Sequence, residues 1–425
     1  MEGIKKHIMD FDVELTEKHL GIFGRSYITT ACLLTYCSVL KFPFQGRVLP
    51  RGWMDIIVFG DTRCGKSFIT EGLVKGIGMG EFFKCENASF AGLIGGLQQI
   101  GTRAKWDIVW GKIPLNHGKL LAADEMSSLS TQAIGDMSAV RSSGIAEVTK
   151  VQSGSTRAAT RMIWLSNPRS EEPMSSYTYG IQALKELIGR PEDISRFDLA
   201  IAVATEDVSM DEVNQVIKKT SYSPKWKELR QLIKWAWQLS PGSVIFEEKA
   251  TEAVLTLAKK MSKEYSHKIP LVEPNEQRIR LARVAVATAV RCFSEEGGKL
   301  IVKAKHVEFA HWFADRCYSS RTLGYKTMSL SERSTNDKNR ECLEEVKEVL
   351  VSHASKNLRE VRLLYSSDMF SATDVGDIFN IPRAETREIC STMLRFGCIV
   401  RKHNTYKKTK LGISTLEQIL GGLDK

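Results

Sequence analysis

The sequence predicts an α/β fold: a core of buried parallel strands, a helical lid over it, and a small C-terminal domain of helices and a hairpin. Three observations predict it. Short apolar runs at 56–59, 120–123 and 162–165 each break off at a glycine or polar residue, as strands buried on both faces do. Past Val208 the apolar residues take helical spacing, as at Val254, Leu255, Leu257 and Ala258. Beyond a polar stretch at 325–340 come a short helix, a turn at Asn380-Ile381-Pro382, a longer helix and a strand.

The 425 residues suffice for two or three full-sized cores, and 43% hydrophobic residues is ordinary for a globular protein. Sixty Lys and Arg against 50 Asp and Glu leave a charge of +10, an excess that suits a polyanionic partner without requiring one. Nine cysteines without a C-x-x-C pair argue against a disulfide framework and a zinc ribbon, and fit a reducing compartment. The start, MEGIKKHIMDFD, has acidic residues and no apolar centre, unlike a signal peptide. The longest apolar stretch, Tyr27 to Leu40, is broken by threonines and serine and too short to span a bilayer, so no membrane partner is expected.

Taken in order, residues 1–50 read as a helical segment on the core, closed by Pro43 and the turn-rich stretch 46–52. Ile56 to Phe59 form a strand that ends in Gly60-Asp61-Thr62-Arg63-Cys64-Gly65-Lys66-Ser67, a phosphate-binding loop. Its glycines let the backbone wrap inward so that N–H groups and the following helix N-terminus face phosphate oxygens. Lys66 then reaches the β- and γ-phosphates, and Ser67 ligates Mg²⁺. These residues predict ATP and Mg²⁺ as cofactors. Residues 84–119 hold an alternating segment, Trp106 to Trp110, with the cation Lys112 after it, and read as a hairpin arm. The strand Lys119 to Ala123 runs into Asp124 and Glu125, a pair suited to holding the Mg²⁺ shell and orienting a water.

Residues 141–160 alternate polar and β-branched types around Gly154, a second hairpin bearing Lys150 and Arg157. The next strand ends in Asn167, at the edge where open α/β sheets bind ligands. Arg196 precedes the strand Leu199 to Ala204; it is either an ion-pair residue at the core's edge or an arginine finger for a neighbouring subunit's γ-phosphate.

These motifs in this order resemble the minichromosome maintenance (MCM) branch of the AAA+ ATPases, over about residues 15–320. Ala122-Ala123-Asp124-Glu125-Met126 resembles its Walker B, Asn167-Pro168 its sensor 1 and Ser195-Arg196-Phe197-Asp198 its arginine-finger motif. The resemblance implies a ring, expected to be a hexamer, in which two hairpins of each subunit project into the pore and grip DNA. Segment 84–119 stands where that family has its helix-2 insert, and 141–160 where it has its presensor hairpin, with Lys150 near the basic tip. Two departures stand out. The Gly-Lys of the phosphate loop replaces a usual small residue before the lysine, and the sensor 2 position falls on Glu273, leaving Arg278 or Arg280 to substitute toward the nucleotide. The family's N-terminal zinc-bearing domain is missing from this chain, which fits a motor fragment or the reduced form of mobile elements and viruses.

The expected organisation is a helical segment at 1–50, an AAA+ P-loop NTPase core at 51–207, a helical lid at 208–324, a linker at 325–340 and a winged-helix domain at 341–425. In that last domain Arg401, Lys402, Lys407, Lys408 and Lys410 form a basic wing, read as phosphate contacts or as a solvated hairpin. The function expected is an ATP-dependent helicase on single-stranded or forked DNA in DNA or mobile-element replication, cytoplasmic at a nucleoid or viral replication site, working with other replication proteins. Two alternatives stay open: an AAA+ remodeller or helicase loader that docks partners through its winged helix, and a sequence-specific DNA-binding regulator switched by ATP.

Overall fold

The computed structural model describes residues 1–100, 105–150, 152–214, 223–266 and 268–421. They divide into two compact units, Met1–Ser329 and Leu330–Lys425. At the centre of the first lies a parallel sheet of β1 (Asp55–Gly60), β2 (Glu81–Lys84), β3 (Leu120–Asp124), β4 (Arg161–Ser166) and β5 (Leu199–Val203), in the order β5-β1-β4-β3-β2. β1, β3, β4 and β5 are buried at every residue, which is why each has an apolar run at its centre. With all strands parallel, the chain leaves each of them at one edge. Gly60, Asp124, Ser166 and Val203 therefore end together, in a register that pairs Val203 with Gly60 and Ser166 with Phe59.

Two antiparallel hairpins interrupt this pattern. The first pairs Gly95–Ile100 with Lys105–Trp110, and the second pairs Ile145–Thr149 with Ser153–Arg157. The second hairpin is tied down at its root. Arg161 of β4 donates to the Ser38 and Gly118 carbonyls at 2.7 and 2.6 Å and stacks its guanidinium over Trp237. Thr160 donates to the Ile113 carbonyl at 2.7 Å, and the Ala159 N–H to His117 Nδ1 at 3.1 Å.

Segment 1–50 is helical at Glu2–Val13 and Ser26–Cys37, but the stretch expected only to close it forms a two-stranded ribbon, Phe42–Phe44 with Arg47–Leu49. The segment 208–324, expected as a lid, contains the helices Trp226–Gln238, Glu248–Glu264, α2 (Gln277–Arg291) and Ala304–Tyr318, numbering α1 as Lys66–Ile77 after the Gly60–Ser67 loop. It also holds a small sheet of Val244–Phe246, Lys299–Val302 and Glu295–Glu296 that helical spacing did not foretell.

α2 is buried nearly all round and still carries Arg280, Arg283 and Arg291. Charges taken out of water persist only when paired and hydrogen-bonded. Arg291 pairs with Asp12 at 2.7 Å, and Arg283 donates to Asp198 and to the Arg51 carbonyl. Asp198 also accepts from Arg51 at 2.8 Å and from the Asp55 N–H at 2.9 Å, while Asp55 accepts from Arg141 at 2.6 Å and from the Trp164 indole at 2.8 Å. Burial raises the Asp198 carboxyl, but Arg283 and Arg51 outweigh it and hold the group below its ordinary range. This network ties the lid to the starts of β1 and β5, the sheet edge opposite the phosphate loop.

The division between the two units, after Ser329, falls inside the stretch 325–340 expected as a linker, and that stretch is helical, part of α3, which runs from Tyr325 to His353. No Gly or Pro interrupts those residues, and Arg340 pairs with Glu344 one turn on at 2.9 Å, so a polar composition is compatible with helix there. The second unit adds the helices Arg359–Ser366, Ala372–Phe379, Arg383–Arg395 and Lys410–Gly421. Its three-stranded antiparallel sheet joins Met369–Phe370, Thr405–Lys408 and Ile399–Lys402. The turn between the middle helices is made by Asn380 in the left-handed conformation, and Ser371 caps the first of the two. Val346, Leu350, Leu364, Phe379, Ile389 and Leu416 form its core. Among the described residues no helix is long and apolar enough to cross a membrane.

Candidate functional site

The loop from Gly60 to Ser67 depends on two glycines. Gly60 has φ +140°, and a Cβ there would stand 1.8 Å from the Val203 carbonyl oxygen, so the loop can leave β1 beside β5 only without a side chain. Gly65 has φ +81° and delivers the chain into α1. Asp61 is buried and serves the loop itself: it accepts from the Met174 N–H at 2.7 Å and from the Thr205 N–H at 2.8 Å. Thr62 and Arg63 are exposed, and Cys64 is buried with its thiol 3.8 Å from the Thr205 hydroxyl.

Lys66 is buried, with its ammonium 2.9 Å from the Gly60 carbonyl, 2.6 Å from the Asp61 carbonyl and 2.9 Å from the Asn167 side-chain oxygen. Burial pushes this ammonium below its ordinary range. Ser67 donates to Asp124 at 3.0 Å, and the same carboxylate oxygen accepts the Glu125 N–H at 3.0 Å. The strand order explains these contacts. β4 lies between β1 and β3, so Asn167 falls between the lysine of one neighbour and the acid pair of the other. Glu125 has φ +57°, uncommon for a residue with a side chain and concentrated at working sites. Burial, and then the Asp124 charge beside it, raise its carboxyl above the ordinary range. A buried ammonium, a hydroxyl on a carboxylate, an amide and a raised carboxyl are suited to bind a polyphosphate with its Mg²⁺ and position a water.

Beside the loop a cavity of about 460 Å³ is lined by Ile22, Phe23, Cys64, Thr205 and Val208. Arg25 fixes this wall, donating to the Ala204 carbonyl at 2.6 Å and to Asp207 at 3.0 Å. Sequence reasoning missed the 21–25 segment as part of the site. Its only local signal was a pair of glycines, Gly21 and Gly24, both with positive φ.

Arg196 is not near this loop. It precedes β5 at the opposite sheet edge, donates to Ser142, and stands 3.6 Å from Asp193. Burial, then the charge of Arg141, push the guanidinium below its ordinary range. Arg280 accompanies Arg196 in a cavity of about 400 Å³ that also receives Arg47, Arg51 and Arg283, with Glu276 the one acid among the described residues that line it. Arg280 is buried and donates to the Leu271 and Ser195 carbonyls, whereas Arg278, half-buried, donates to the Asn275 carbonyl at 2.8 Å. The structure thus groups Arg280 with Arg196 and not with the phosphate loop.

The cations read as nucleic-acid contacts divide likewise. Lys150 is exposed at the turn of the second hairpin. Lys112 sits at the foot of the first, in an ion pair with Glu81 of β2. Arg401, Lys402, Lys407 and Lys410 are exposed, but Lys408 donates to the Leu364 carbonyl at 3.1 Å and to that of Tyr365, closing the end of the helix Arg359–Ser366. No model of a known protein family matches this chain, and no curated protein matches it either.

Proposed function

We propose that the chain is an ATP-driven DNA translocase and helicase that works as a ring, an AAA+ ATPase of the MCM-like kind with a C-terminal winged helix. One observation carries this reading: a hydrolytic set is collected at one sheet edge while Arg196 and Arg280 are collected at the other. In register, Leu199 lies against Ile56 and Val203 against Gly60, so β5 alone separates Arg196 from its own loop by about 13 Å at a rise near 3.3 Å per residue. An arginine so placed serves a nucleotide held by the next subunit, which makes the pocket complete only between copies.

In that pocket Lys66, Ser67, Asp124, Glu125 and Asn167 come from one subunit and Arg196 from its neighbour. ATP brings its phosphates to the loop and its base to the cavity beside Ile22 and Phe23. Mg²⁺ would be held through Ser67 and Asp124, where it would draw charge off the phosphate oxygens. Glu125 orients the attacking water, and Lys66, released from the loop carbonyls, stabilises charge on the transferring phosphoryl together with Arg196. The hairpins then track a DNA strand along its backbone, largely without reading sequence.

The test is a strand-displacement assay on forks with one tail at a time, with ATP and Mg²⁺, run beside ATPase measurements with and without single-stranded DNA. Stimulation by DNA together with unwinding is the expected result. ATPase activity that ignores DNA and leaves forks intact would refute the helicase reading in favour of the remodeller or loader.

A further inference from the structure

Of the chain's eight tryptophans, all of them described, Trp106 alone is exposed, at 47%. It lies on the first hairpin, where the cross-strand pairs Gln99–Trp106, Leu97–Ile108 and Gly95–Trp110 share one face. That face meets the second hairpin at Ile108, since a Cβ on Gly154 would come within 2.7 Å of Ile108 Cδ1. Gly154 pairs with Val148, and Lys150 is two residues beyond Val148. Trp106 in turn is two residues beyond Ile108. Both side chains therefore lie within a rung or so of the place where the hairpins touch, about 7 Å along each strand.

Both also lie at the ends away from the core. Trp110 packs against the main hydrophobic cluster, and Ala158, just past Arg157, is buried in it. The outer face of the second hairpin exposes Thr149, Ser153, Ser155 and Arg157, donors suited to phosphate oxygens, against one acid, Glu147. A solvated arm has no need of a large aromatic at such a position, and an indole left half in water has ring surface open to a planar ligand.

We propose that Trp106 is a stacking platform for an unpaired base of single-stranded DNA, with Lys150 taking a nearby phosphate. The proposal rests on the strand-tracking motor described above. It selects single strands, because a base in a duplex has both faces covered by its neighbours, whereas an unpaired base offers one to the indole.

The experiment compares an oligo(dT) with an abasic oligonucleotide of equal phosphate count, binding the full chain with a non-hydrolysable ATP analogue and read by fluorescence anisotropy. Trp106→Ala is expected to weaken oligo(dT) binding about 5- to 100-fold and leave abasic binding unchanged, as one lost base stack predicts. Trp106→Phe should recover part of the loss. Lys150→Ala should weaken both ligands and reduce the salt slope by about 1. Equal oligo(dT) affinity for wild type and Trp106→Ala would overturn the stacking role and leave the motor reading intact. So would equal losses on both ligands, which would make Trp106 a prop between hairpins. Wild type that binds neither ligand would instead bring down the motor reading.

Discussion

The placement of Arg196 at the edge away from the phosphate loop makes a quantitative prediction about mixtures. Arg196→Ala removes a guanidinium that is only 28% exposed and that contacts Ser142 and Asp193, neither of which belongs to the nucleotide set. If it completes a neighbour's pocket, turnover should fall by about 10³ or more, the usual worth of an arginine finger and about 4 kcal/mol of barrier. Lys66→Ala should be equally inactive, because it strips the ammonium that reaches Gly60, Asp61 and Asn167. The two inactive chains nonetheless spoil different halves of the pocket. Mixed at equal amounts, random neighbours at head-to-tail interfaces join an intact Lys66 to an intact Arg196 about one time in four. The mixture should therefore regain up to roughly a quarter of wild-type ATPase activity. The assay is phosphate release against mixing ratio, with native mass spectrometry to verify that mixed assemblies form. Mixed assemblies without regained activity would refute the shared pocket, as would full hydrolysis by isolated Arg196→Ala monomers.

Three further outcomes follow from the geometry. Glu125→Gln should still bind ATP but not turn it over, and wild-type hydrolysis should decline as pH falls through the raised carboxyl's range, above the ordinary value of 4.5, since only the ionised form can draw the water's proton. A single-turnover pH profile shows both; turnover by the Gln variant would remove Glu125 from the mechanism. Gly60→Ala should destabilise the chain by about 3 kcal/mol or more, because its Cβ meets backbone, whereas Gly118→Ala, at φ +75° but with open space around it, should cost about 1 kcal/mol in urea melts. Lys408→Met should lower the melting temperature through loss of its hold on a helix end, worth up to about 2 kcal/mol. Lys407→Met should leave melting unchanged and, if the wing meets DNA, weaken binding in a salt-dependent way; the reverse pattern would contradict the placement of these two side chains.

What the sequence made legible was local. The phosphate loop is a contiguous octapeptide, and the acid pair and Asn167 each end an apolar run, so strand position and chemistry could be read together. What it hid was long-range pairing. Nothing near Lys112 announces Glu81, 31 residues away, and nothing near Arg280 announces Ser195, 85 residues away. Lys408 looked like its exposed neighbours until Leu364 and Tyr365 closed on it. Composition located the stretch 325–340, within which the two units divide after Ser329, but not its helical form. Its serines, threonines and asparagines are turn formers, but the missing Gly and Pro across the whole of α3 were the stronger signal, and helix won.

The anchoring of Arg161 limits how any mechanical stroke can be made. With Ala159, Thr160 and Arg161 bonded to His117, Ile113, Ser38 and Gly118, the chain leaving the second hairpin is anchored at its root. On the proposed motor, displacement of its Lys150 tip would then be carried by tilting the sheet, like an oar fixed to its hull. The step along a strand would be governed by rotation between adjacent hulls, and a variant such as Arg161→Met that frees the root should uncouple fuel use from advance before it slows the chemistry.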